Sequence, residues 1–177
     1  ANSSLASFNR AAPSWSAEQL AANGIYEVVY NNSNLKDDRF YINGAESFTF
    51  ANDTVTASYT AAVGKALDDV NATDENDVEL DPVVVISGLK TNEKNQIKAQ
   101  AASLLQSTDW YVIRHAESET AIPANVSTFR AAVRTKSNEM ETAIDGAASA
   151  EALEALFTYT TGADDVVSRP LGEWPKL

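Results

Sequence analysis

Apolar and polar positions follow two different rhythms along this chain, and the change of rhythm divides it. Residues 25 to 30 (IYEVVY), 39 to 42 (RFYI), 46 to 50 (ESFTF) and 54 to 60 (TVTASYT) are short β-branched and aromatic runs, with ING and AND between them as turns. They predict a small antiparallel meander. PVVVISG, residues 82 to 88, reads as one more strand, whose length and β-branched content predict burial and closure of the same sheet. Ahead of the strands, Ser16 and Gln19 form an S-x-x-Q capping box for a short helix, Trp15 is placed to staple onto Leu20, and Gly24 stops the helix.

From Lys90 the period becomes helical. Ile97, Ala101, Leu104 and Leu105 follow i, i+4, i+7, i+8 spacing, and Val126, Phe129, Val133, Met140 and Ile144 share one narrow stripe that begins near Pro123 and ends near Gly146. Two amphipathic helices joined by a loop over residues 107 to 122 predict a helical hairpin. SAEALEALF adds a third, short helix with Leu153, Leu156 and Phe157 on one face. The predicted fold class is therefore α+β: a small antiparallel β-rich N-terminal domain followed by a helical-hairpin C-terminal domain. Its predicted boundaries are an arm over 1–15, the β-rich domain over 16–88 with Gly88 as the hinge, the helical domain over 89–158, and a docking tail over 159–177.

The arm and the tail set isolated large apolar residues among breakers and polar residues, a poor recipe for a self-contained core. Leu5 and Phe8 in the arm, and Leu171 and Trp174 in the tail, are the predicted partner-binding residues. Pro170 and Pro175 bracket Trp174 and stiffen it, which lowers the entropy lost on docking. Docking on a neighbouring subunit is favoured over the alternative, in which the tail folds back on its own helices, and deleting residues 168 to 177 is then expected to leave monomer stability nearly unchanged.

Composition narrows the function classes. The 177 residues carry a net charge of −12 with only 13 Lys and Arg, none of them clustered, which argues against nucleic-acid binding. There is no cysteine, so disulfides, thiol nucleophiles and thiolate metal sites are excluded. No apolar window reaches the length of a membrane span, the N-terminus reads as lacking a signal peptide, and its first residue, Ala1, suits a product that has lost its initiator Met. The sequons at Asn2, Asn31, Asn52, Asn71 and Asn125 then read as by-products of Asn, Ser and Thr richness. Asp74, Asn76 and Asp77 suggest a calcium loop, but the sixth position lacks Gly and the twelfth lacks Glu, so a solvated acidic loop is expected.

VIRHAES, residues 112 to 118, is the stretch closest to chemistry, because it resembles the Arg-His loop of histidine phosphatases. That chemistry needs a second histidine and two arginines to hold the phosphoryl oxygens. His115 is the sole histidine, and it falls past the middle of the chain, too late for the family fold to be built behind it. Arg114 and His115 are read as ordinary polar residues ending an extended segment, DWYVIR. No catalytic, cofactor-binding or metal-binding residues are assigned.

A broader likeness covers about two thirds of the chain. Leu104, Leu105, Thr108, Asp109 and Trp110 match an L-L-x-x-T-D-W run at a helix end, and Phe129, Arg130, Val133 and Arg134 match [YF]-R-x-x-[LV]-R on the next helix. RPLGEWPKL supplies a W-P ending, and residues 16 to 60 are similar to a β-rich leader. These features resemble tail or tail-fibre-associated proteins of tailed bacteriophages that carry a tail assembly chaperone-like helical module. The resemblance implies a structural, non-enzymatic part of the virion, in a fibre, baseplate or adaptor. Its partners would be other phage virion proteins and copies of itself in a symmetric homo-oligomer, with no cofactor, nucleic acid or membrane. The alternative is a tail-fibre assembly chaperone absent from the mature particle. Either would occupy the host cytoplasm during assembly. VIRHAES then becomes a variable inter-helix loop, Asp109 caps the end of that loop or pairs with Arg130 or Arg134, and Trp110 is buried between the helices.

Overall fold

The computed structural model describes residues 15–162 and 164–177. In chain order its elements are α1 (Ala17–Ala22), β1 (Val28–Asn31), β2 (Tyr41–Ile42), β3 (Glu46–Ala51), β4 (Thr54–Tyr59), β5 (Val63–Gly64), β6 (Val70–Asn71), β7 (Val85–Ile86), α2 (Leu89–Gln106), α3 (Asp109–Ser118), α4 (Ala124–Asp145), α5 (Ala150–Phe157), β8 (Thr160–Thr161) and β9 (Val167–Ser168). The fold is mixed α+β, with small sheets in the N-terminal half and helices in the C-terminal half.

The described residues divide into two compact units, 15–36 with 43–63, and 37–42 with 64–162 and 164–177. These boundaries differ from the expected division at Gly88 because the segment before α2 is tied to the start of that helix. Leu89 N–H donates to Ala66 C=O, Lys90 N–H to Leu67 C=O, and Gly88 N–H to the Asp69 carboxylate. Gly88 is required where the two backbones approach, since a Cβ there would lie 2.4 Å from the Asp68 carbonyl. Residues 37–42 join the same unit by burying Phe40 and Tyr41.

In the sheet unit, Ser16 and Gln19 close the capping box on α1, and Gly24 takes the left-handed conformation at φ +71°, both as expected. Asn52 and Asp53 have φ of 50° and 57°, the type I′ geometry that matches strand twist, and they join β3 and β4 into a tight antiparallel hairpin. The expected meander is replaced by a three-stranded mixed sheet of order β1-β4-β3, in which β1 runs parallel to β4. Between β1 and β3 the chain passes through residues 37–42 of the other unit, and β1 pairs with β4 on the side away from β3. Side chains alternate across this sheet. Val28, Tyr30, Phe48, Phe50, Val55 and Ala57 share one face, and Ser47, Thr49, Thr56 and Ser58 share the other.

In the helical unit the predicted stripes form the core. Ile97, Ala101, Val126, Phe129, Val133, Met140, Ile144 and Leu153 are all buried where α2, α4 and α5 pack. Two expectations are corrected. PVVVISG yields only the two-residue β7 paired to β6, outside the three-stranded sheet, and Val83, Val84, Val85 and Ile86 are exposed. A run of β-branched residues identifies an extended backbone and does not identify what covers it. DWYVIRHAES is neither extended nor a loop but the helix α3. Asp109 supplies the favourable first-turn acid, no Gly or Pro interrupts the next nine positions, and Glu119 ends the helix in the left-handed conformation at φ 56°.

Candidate functional site

The residues singled out by the sequence converge where α2 ends, α3 begins and α4 passes. The last carbonyls of α2 have no partner within the helix, and a cation there is favoured by both hydrogen bonding and the helix dipole. Arg130, buried on α4, supplies it. Its Nη1 donates to Leu105 C=O at 3.0 Å, to Thr108 Oγ1 at 2.7 Å and to Asp109 Oδ1 at 2.9 Å. Thr108 is also buried, and its hydroxyl donates to the Leu105 carbonyl at 2.8 Å. One guanidinium thus fastens the end of α2 and the start of α3 to the second turn of α4. Of the two expected partners for Asp109, Arg130 is the one engaged. Arg134 instead reaches back to the Arg130 carbonyl at 3.5 Å.

Trp110 is not buried between the helices. It is 49% exposed, its ring centroid stands 3.9 Å from that of Tyr111, and the Arg114 guanidinium lies over it at 4.6 Å. The helical register explains the Arg114–Trp110 contact, because residues four apart share a face. His115 sits in the last turn of α3, where Nδ1 meets Thr120 C=O at 3.0 Å. As successive residues of one helix, Arg114 and His115 point in different directions.

The tail folds onto its own helices, which corrects the docking expectation for Leu171 and Trp174. Leu171 is 2% exposed, and its N–H donates to Leu156 C=O at 3.0 Å. Trp174 packs against Ala101, Phe129 and Val133, and its indole N–H donates to Gln100 Oε1 at 2.8 Å. Leu5 and Phe8 lie outside the described residues.

One polar centre escaped the sequence reading. Glu93 is buried on α2 and forms a two-pronged pair with Arg39, whose Nε donates to Glu93 Oε1 at 2.7 Å and whose Nη2 contacts Oε2. The Arg39 guanidinium also lies 4.3 Å from the centre of the Phe157 ring. The signal was present: Leu89, Glu93, Ile97 and Ala101 recur every four residues, so a carboxylate stands in an apolar stripe and requires a buried cation.

In the acidic loop the Asp74 carboxylate accepts backbone N–H groups from Val78 and Asn76, which hold it below the usual carboxylate range. The Asp69 carboxyl is lowered chiefly by the Gly88 N–H. Both carboxylates are thus committed to local backbone, and the described residues contain no group of three or more His, Cys, Asp or Glu able to hold a metal ion. In the sheet unit an open groove of about 420 Å³ runs beside α1, lined by Leu20, Ile25, Tyr26 and Val29 among others.

No described helix is long and apolar enough to cross a membrane. No family model, curated protein or solved structure matches the chain.

Proposed function

We propose that this chain is a structural, non-enzymatic component of a phage virion, placed in the tail as part of a fibre, baseplate or adaptor. It acts through protein–protein contacts, with other virion proteins and copies of itself as partners. The supporting observation is the use made of the T-D-W and F-R-x-x-V-R residues that carry the tail-protein resemblance. Thr108, Asp109 and Arg130 are spent on one another and on the carboxyl end of α2. That is a fastener holding helices in register, a task suited to a scaffold.

The large apolar side chains left exposed by the sheet, such as Tyr30, Phe48 and Phe50, are the kind of surface that assembly covers. They suit a transient binder equally well, so a tail-fibre assembly chaperone is the second reading. Quantitative mass spectrometry of purified particles separates the two. Stoichiometric recovery is expected for a virion component. Abundance in infected cells with complete absence from particles establishes the chaperone, and absence from both overturns the phage assignment. An enzymatic role enters only if the His115→Ala variant loses a measurable phosphatase activity that the parent chain possesses.

A further inference from the structure

Strand β3 ends its sheet. In the order β1-β4-β3 this strand has, among the described residues, one bonded side and one open side, and all six of its residues, Glu46 to Ala51, are exposed. Natural edge strands are normally blunted by lysine, proline, a bulge or a cover. The run ESFTFA contains neither Lys nor Pro and pairs with β4 without a break in register.

The direction of its backbone groups follows from the hairpin. Antiparallel pairs alternate between bonded and non-bonded, and Thr60 N–H donates to Ala45 C=O at 3.2 Å just beyond the ladder. Ser47, Thr49 and Ala51 therefore bond inward to β4, and the N–H and C=O groups of Phe48 and Phe50 point to the open edge.

We propose that two chains associate through antiparallel β3–β3 pairing about a two-fold axis at Thr49. This register sets Phe48 of each copy opposite Phe50 of the other, so the outward backbone groups bond reciprocally and two aromatic pairs form on the apolar face. Ser47 then faces Ala51, and Glu46 stays outside the paired residues. Shifting the register so that Phe48 meets its own copy would set Glu46 against Phe50. A one-residue slip would bring the polar face of one sheet beside the apolar face of the other.

The result is one six-stranded sheet, an ordinary size, in place of two three-stranded sheets near the lower limit of independent stability. Charge permits it, for residues 1–36 and 43–63 carry only four acidic and two basic residues of the chain's 25 and 13. Phe48 and Phe50 are 45% and 57% exposed, so four rings offer on the order of 400 Å² of apolar surface. With the strand backbones added the contact still belongs to the small, weak class of interfaces, so reversible association is expected, with a dissociation constant on the order of 10–100 μM taken as the range to search. The inference goes beyond the virion reading, since it concerns the isolated chain whatever particle houses it.

Sedimentation velocity of the full chain across that concentration range is expected to show reversible monomer–dimer exchange. Thr49→Lys places two ammonium groups together on the axis and is expected to weaken association at least tenfold while leaving the circular dichroism spectrum unchanged. Because the chain has no cysteine, Thr49→Cys supplies a single thiol per copy, and mild oxidation is expected to give a covalent dimer. Asn31→Cys, on β1 at the opposite edge, is the control and is expected to cross-link weakly. A chain that stays monomeric at every concentration, a Thr49→Lys variant that dimerises like the parent, or equal cross-linking from both cysteines overturns the proposal. Particle mass spectrometry is untouched by any of these results, so the two proposals fail separately.

Discussion

The sheet unit and the helical unit handle apolar side chains in opposite ways. Among the described residues of the sheet unit only Ala57 is buried, although Tyr30, Phe48, Phe50 and Val55 share its face. The helical unit buries Ile97, Phe129, Val133, Met140, Ile144, Leu153 and Leu171, and satisfies Glu93 and Arg130 inside that core. A single three-stranded sheet can hide one face only against something else, whereas packed helices cover each other. Order can therefore be specified locally, by a turn and an alternation, without the stability that comes from burial.

The most direct way to break this contrast is to truncate one large side chain in each unit. Leu153→Ala, at a fully buried site, is expected to cost about 2–5 kcal/mol in urea unfolding. Phe50→Ala, at an exposed one, should cost about 1 kcal/mol or less. Equal costs would mean that the sheet unit has a core after all.

Next in size is the tail. Deleting residues 168–177 removes the buried Leu171 and the Trp174 contact with the α2–α4 core, so a loss of about 2–4 kcal/mol is expected, read as a drop of several degrees in Tm. The composition of the tail had pointed to an unchanged monomer. A melting temperature within a degree of the parent would restore the docking interpretation.

Arg130→Ala should cost about 1–3 kcal/mol, because it strips Thr108 and the Leu105 carbonyl of their shared donor inside the helical unit. Asp109→Asn should cost less than about 1 kcal/mol, since that carboxylate is half exposed. Hydrogen exchange at the end of α2 distinguishes the two variants, with faster exchange expected in Arg130→Ala alone.

The smallest effect is acid softening. The Asp69 carboxyl is lowered from an ordinary 3.8, first by the Gly88 N–H and then by Thr91. A depressed folded pKa gives stability that is present above the unfolded value and lost as pH falls through the folded one. Tm should therefore fall on acidification below about pH 4, and Asp69→Asn should flatten that limb by lowering the neutral plateau slightly toward the acid value. A parallel fall in both proteins would remove Asp69 as a cause.

Much of the framework was legible in the chain. The Ser16–Gln19 box, the turns at Gly24 and Asn52–Asp53, and the stripes on α2, α4 and α5 all depend on neighbours within a few residues, whose identities are read directly. The Asp109–Arg130 pair was legible as one of three options for that carboxylate, beside a loop-end cap and Arg134. The misreadings share a cause. Helix α3 was hidden because WYVI is β-prone in isolation, and local propensity yields to a first-turn acid, which Arg130 of α4 also holds. The exposure of Val83 to Ile86 was hidden because periodicity describes the backbone and says nothing of what lies against it.

By itself, then, the amino-acid order determined the mixed α+β class, the change from strand to helix rhythm, the caps and turns, and which helix faces are apolar, because each follows from interactions a few residues apart. Only the tertiary structure decided that β1 runs parallel to β4, that Glu93 meets Arg39, that Arg130 chooses Asp109, and that the tail returns to its own helices. Each of those closes a loop of many residues, and the entropy of closure is nearly the same for competing partners, so shape and burial at the far end select among them.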